Sequence, residues 1–140
     1  MPLIYFNCPE KTFTEKAKNT MAMELTELAH RIEGIPHTEE AKNKCWIYFN
    51  EFPKTNVFRG GKIINENILS LEVNAFKGGL DEEQKLEFIQ KFTERIRFYA
   101  TNVNDDEVPV YIIFRDVDFC NWGVSGKTIT MDDVKNESGS

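Results

Sequence analysis

The residue with the clearest chemical potential is Pro2, directly behind Met1 and ahead of the apolar, aromatic run Leu3-Ile4-Tyr5-Phe6. With Met1 removed, Pro2 carries a secondary amine in place of an amide. In simple peptides an α-amino group titrates near ~8, and an apolar pocket or neighbouring cations lower it toward neutrality, where a general base is most useful. A strand beginning at Leu3 would hold that nitrogen in the protein body and keep the chain end from fraying. Other reactive groups suggest less. Cys8, Cys45 and Cys120 are odd in number and far apart, without a C-x-x-C pair, so neither a disulfide framework nor a zinc site is indicated, and no cofactor is expected. Gly60-Gly61-Lys62 lacks the spacing of a phosphate loop and does not open a helix.

The elements that must position Pro2 follow from periodicity and punctuation. Leu3 to Asn7 reads as a strand broken by Cys8-Pro9, and Thr12 or Thr14 can cap the next helix, with Thr12 and Glu15 at capping-box spacing. Met21, Leu25, Leu28 and Ile32 give that helix one apolar face to about Glu33, where Gly34 stops it and Pro36 prevents re-entry. Cys45 to Phe49 is a second strand, followed by a loop from Pro53 to Gly61. Ile68 to Val73 is a third strand, Asp81 caps a second helix with Leu86, Ile89, Phe92, Ile96 and Tyr99 at helical spacing, and Val110 to Phe114 is a fourth strand.

The two halves repeat. Trp46 to Glu51 lies over Tyr111 to Asp116 without a gap, and the alignment continues through Asn56 with Asn121, Gly61 with Gly126 and Lys62 with Lys127, while Asn7 falls over Asn74. This predicts an α+β fold of two tandem β-α-β units, forming a four-stranded mixed sheet with two helices on one face. The other sheet face is expected to be apolar and so to be buried in a homo-oligomer. One domain is expected over residues 1–131, with repeat one at 2–64 and repeat two at 67–130, and residues 132–140 as a flexible tail.

Composition narrows the function. The 140 residues are 41% apolar and 12% aromatic, enough for one sizeable core. A net charge of -6 without a basic run argues against nucleic acid or an anionic membrane as partner. No apolar stretch approaches the ~20 residues that span a bilayer, and no signal peptide is evident, so a cytoplasmic protein is expected.

Pro2, the repeat, and the hairpins Asn56-Val57-Phe58-Arg59-Gly60-Gly61 and Asn121-Trp122-Gly123-Val124-Ser125-Gly126 resemble the tautomerase superfamily over almost the whole chain. That superfamily includes 4-oxalocrotonate tautomerase (4-OT), macrophage migration inhibitory factor (MIF) and the cis-3-chloroacrylic acid dehalogenase group. The resemblance implies a trimer of doubled units and an isomerase without cofactor, in which Pro2 moves a proton on a small keto or enol acid. It also implies pocket roles for Tyr111 and for Trp122 as an apolar wall, and it brings His30 near a functional histidine of the dehalogenases. His30 also reads as a surface imidazole at a helix C-terminus. The paired arginines of the dehalogenases are absent from Asn74 to Leu80, which leaves Lys77 as the residue able to hold a carboxylate and removes the bidentate grip of Arg. Arg115, alternating with Phe114, is a weaker candidate or one half of an inter-subunit ion pair. Hydration or decarboxylation of a related acid is the alternative chemistry, and a trimeric binding or signalling protein with a vestigial pocket is the alternative class.

Overall fold

In the computed structural model, residues 2–130 and 133 are described. Strand β1, Leu3–Pro9, alternates as expected of β-structure, with Ile4, Phe6 and Cys8 turned into the core. Helix α1, Glu15–Glu33, is capped by Thr14, whose hydroxyl accepts from the Ala17 amide at 3.0 Å. The capping box at Thr12 does not form, because Thr12 is buried and its hydroxyl donates to the Pro9 carbonyl at 2.7 Å. Gly34 ends α1 in the left-handed region at φ 74°, where a side chain would be strained. A short helix α2, Glu39–Lys42, leads into β2, Trp46–Phe52, and then into a hairpin of β3, Phe58–Arg59, and β4, Lys62–Ile63.

The second half repeats this order: β5 is Leu69–Phe76, α3 Glu82–Tyr99, β6 Val110–Val117, and the hairpin β7, Gly123–Val124, with β8, Lys127–Thr128. Asp81 and Gln84 form a reciprocal capping box at the head of α3. The main sheet has the order β2-β1-β5-β6, with β1 parallel to β2, antiparallel to β5, and β5 parallel to β6. The fold is therefore the mixed sheet of two β-α-β units that the repeat predicts. Pairing of β1 with β5 is centred on Tyr5 opposite Glu72, with Leu3 opposite Asn74 and Asn7 opposite Ser70. Since β1 and β5 are the equivalent strands of the two units, an internal twofold runs through that pair and sets the two strand beginnings at opposite ends of the sheet.

Helices α1 and α3 cover one face, and the core lies between them and the sheet: Ile4, Phe6, Leu71 and Val73 meet Met21, Leu25, Phe88 and Phe92. On α3 the stripe differs from expectation, since Leu86 is exposed and Phe88 takes the core position. The opposite face is mixed, which corrects the apolar face expected from sequence. Asn50 donates to Asn7 at 3.0 Å, Asn7 to Ser70 at 3.4 Å, and Arg115 pairs with Glu72 at 2.9 Å. Aromatic residues sit mainly on the edge strands, where Trp46, Tyr48 and Tyr111 are exposed and Tyr48 stacks on Tyr5 with ring centroids 5.3 Å apart. The apolar runs that suggested a greasy face belong to the edges, whereas the central strands contribute Asn7, Ser70, Glu72 and Asn74.

No helix among the described residues is long and apolar enough to cross a membrane. The tail expected over residues 132–140 lies, apart from Asp133, outside the described residues.

Cys8 gives the fold an alkaline limit. Burial first, and the Glu51 carboxylate second, push its thiol up to about 11, against an ordinary 9.0. The unfolded chain therefore ionises first as pH rises, so the contribution is complete below pH ~9 and is lost toward pH ~11, a change of about 2 kcal/mol by pH ~10.5. Urea unfolding at pH ~8 and ~10.5 should show that fall in the native protein, and the fall should shrink by the same amount in Cys8→Ala.

Candidate active site

Pro2 stands immediately ahead of β1, a central strand, and its side chain is fully buried. Its carbonyl accepts the Trp46 amide at 3.3 Å, and the Asn74 side chain donates to the Leu3 carbonyl at 3.4 Å, so the chain is held from both neighbouring strands at its start. That part of the sequence reading rested on the apolar run after Pro2, which needs flanking strands to become a central one.

Strand β5 runs past this point through Ala75 and Phe76 to Lys77. The turn after β6 folds back over it: Phe76 stacks on Phe119 with centroids 5.0 Å apart and packs against Trp122 at 4.4 Å, with Ile129 closing a small satellite core. Trp122 thus belongs to an apolar wall at the Pro2 end of the sheet. Lys77 is at the same end, its amide donating to the Val117 carbonyl at 2.9 Å and its ammonium 3.8 Å from Asp118. Both partners are largely exposed, so this ion pair is weak, worth at most ~1 kcal/mol, and open to exchange for another carboxylate.

His30 departs from the surface position expected of it. Helix α1 returns from the far end of β1, so its last turn lies at the Pro2 end, where the ring is fully buried. Its Nδ1–H donates to the Thr26 carbonyl at 2.8 Å, and the His37 ring meets it edge-on with centroids 6.4 Å apart. A carbonyl only accepts, so Nδ1 carries the proton and Nε2 the lone pair, and Nε2 has no hydrogen-bond partner among the described residues. The signal missed in the sequence is the segment after Gly34, which brings His37 back over the helix end.

Arg115 is level with Asn74 and Leu3 across the sheet. Within the chain it pairs with Glu72 at 2.9 Å. Tyr111 is separated from this group. It pairs with Ser70 near the other end of β6, five positions from the level of Pro2, or ~16 Å at the rise of a β-strand, and is 77% exposed. One residue at the Pro2 end escaped the sequence reading: Cys45, next to the Trp46 amide that binds Pro2. Burial pushes its thiol up to about 11, with the Thr26 hydroxyl opposing. A lone cysteine at a strand start carries no pattern to find it by.

One end of the sheet therefore holds a buried proline, an aromatic wall, and a loosely paired ammonium. Solved structures share the fold of the chain over most of its length. A member of the cis-3-chloroacrylic acid dehalogenase family superposes with a TM-score of 0.75 at 15% identity, covering 96% of this chain and 88% of its own. A fused 4-OT, described as a wild type asymmetric trimer, gives 0.73 at 20% identity with 90% and 94% covered. A MIF homologue from Prochlorococcus marinus gives 0.70 at 21% identity with 90% and 97% covered. No family profile and no curated protein matches the sequence. At these identities the likeness is one of fold, and the fold is that of the tautomerase and MIF structures.

Proposed function

We propose that this chain is a tautomerase-type enzyme in which Pro2, freed by removal of Met1, is the general base and acid for a small keto or enol carboxylic acid. The observation that carries the reading is the complete burial of Pro2 at the head of a central strand. In ketonisation, the neutral Pro2 nitrogen takes the enol hydroxyl proton, the electrons collapse to the carbonyl, and the protonated nitrogen delivers a proton to the adjacent carbon. Atoms balance, and the nitrogen ends as it began. Lys77 turns from Asp118 to the substrate carboxylate, and the wall of Phe76, Phe119 and Trp122 keeps water from the reacting atoms.

The working form is a homotrimer. The edge strands β2 and β6 carry the exposed aromatic residues Trp46, Tyr48 and Tyr111, and the fused 4-OT neighbours are described as trimers. A pocket role for Tyr111 requires a neighbouring copy, since it is too far from Pro2 in its own chain. Arg115 remains with Glu72, and His30, without exposed surface, fixes the end of α1.

Phenylenolpyruvate is the test substrate. The rate should rise with pH as the amine loses its proton, and absence of activity on any enol would favour the trimeric binding protein, a reading supported by the engagement of Lys77 with Asp118. Lys77→Gln should raise KM by ~3–10-fold with kcat little changed, because a carboxylate held equally in ground and transition states contributes uniform binding.

A further inference from the structure

Ketonisation puts charge on an oxygen. Once the enol hydroxyl has given its proton to Pro2, that oxygen is anionic until the carbon is protonated, and a hydrogen-bond donor fixed beside it lowers the barrier. Lys77 is engaged with the carboxylate, so the donor has to come from elsewhere.

Across the sheet, the row level with the chain start is Trp46, Leu3, Asn74 and Arg115. Three of these are committed or apolar: the Trp46 indole N–H donates to the Asn43 carbonyl at 2.8 Å, Leu3 has no polar group, and Arg115 is turned to Glu72 at 2.9 Å. Asn74 keeps a donor to spare. Its half-buried amide makes one long bond, 3.4 Å to the Leu3 carbonyl, and its other N–H has no partner among the described residues. Backbone donors of the turn that follows are spent, the Lys77 amide on the Val117 carbonyl and the Gly79 amide on the Phe76 carbonyl.

Position agrees with chemistry. Val73 is turned into the core, so Asn74 faces the side of the sheet away from the helices, and Phe76, two residues on, carries the aromatic wall on that same side. Pro2 lies one residue's rise, ~3.3 Å, past the pair of Leu3 with Asn74. A substrate resting on Phe76 and Trp122 with its enol at Pro2 brings its oxygen beside the Asn74 amide.

We infer that Asn74 is a catalytic residue of this site: its side-chain N–H donates to the substrate oxygen as the hydroxyl proton leaves, and it takes no proton itself. The inference rests on the reading of Pro2 as the base and supplies the donor set against the charge which that base creates. Asn74 is on the central strand β5, clear of the edges through which copies meet.

Steady-state rates on phenylenolpyruvate test it. Asn74→Ala should lower kcat about 100-fold with KM within ~3-fold of native, the reverse of the pattern for Lys77→Gln, because the bond strengthens as charge develops. A fall in kcat of less than tenfold overturns the inference. The midpoint of the rising pH limb should stay where it is; a shifted midpoint would assign Asn74 to holding the chain start through the Leu3 carbonyl and overturns it as well. Oxalate, whose second carboxylate copies the enolate oxygen, gives a readout without turnover: calorimetry should show it bound tenfold or more weakly by Asn74→Ala, and equal or absent binding counts against Asn74. Failure of the native protein to ketonise any enol, by contrast, removes Pro2 whatever oxalate does, so the two failures are told apart.

Discussion

Protein that retains Met1 is expected to ketonise phenylenolpyruvate at least ~100-fold more slowly than protein beginning at Pro2, the lower end of what a positioned general base contributes. The reason is electronic. Acylated by Met1, the Pro2 nitrogen gives its lone pair to the peptide carbonyl and cannot take a proton, while every other contact at that end of the sheet is unchanged. The comparison therefore removes the base without removing the pocket. Pro2→Ala in Met1-free protein keeps an amine but loses the ring buried at the head of β1, so its rate should fall between the two. Intact mass establishes which species is present, and single-turnover rates across pH complete the test. A buried amine resists protonation, so the rising limb for the Pro2 protein should have its midpoint below the ~8 of an exposed chain end. Equal rates from the two termini would remove Pro2 from the mechanism.

The same internal geometry explains what could and could not be read before the structure. Local signals were legible: the run after Pro2 became β1, Gly34 ended α1, and Asp81 capped α3. The repeat was legible too, because matched hairpins leave matched residues such as Asn56 and Asn121. Non-local pairing was not. Asn7 is an unremarkable polar residue until Asn50 and Ser70 arrive beside it from other strands. Tyr111 and Pro2 could be grouped by resemblance, but the antiparallel pairing of β1 with β5 puts them at opposite ends of one chain, which only the register reveals. His30 had the spacing of a helix-end residue, and its burial depends on a segment with no periodicity of its own.

The choice between Leu86 and Phe88 shows how an ambiguous stripe is settled, and it gives the largest expected change in stability. Helix α3 has apolar residues at Leu86, Phe88, Ile89, Phe92 and Ile96, so two overlapping faces satisfy a helical period. The native face is Phe88, Phe92 and Ile96, each 0% exposed, with Leu86 left 54% exposed. Phe88 stacks on Phe92 with centroids 3.7 Å apart and meets Phe114 of β6 edge-on at 5.2 Å, so its ring joins α3 to the sheet. Truncation there removes buried apolar surface and leaves a void that rigid aromatic neighbours cannot fill. Phe88→Ala should cost about 3–5 kcal/mol, whereas Leu86→Ala should stay within ~0.5 kcal/mol. Against a total stability of ~5–15 kcal/mol, the first change removes about a fifth or more, and it should lower Tm by ~10 °C or more. Chemical unfolding of the two variants beside the native protein decides the matter: a large loss in Leu86→Ala with little in Phe88→Ala would mean that α3 is rotated about its axis and that Leu86, not Phe88, faces the sheet. A rotation of that kind would also displace Lys85, which now pairs with Asp116 at 2.7 Å across from β6, so an unchanged Lys85→Gln variant would have to accompany it.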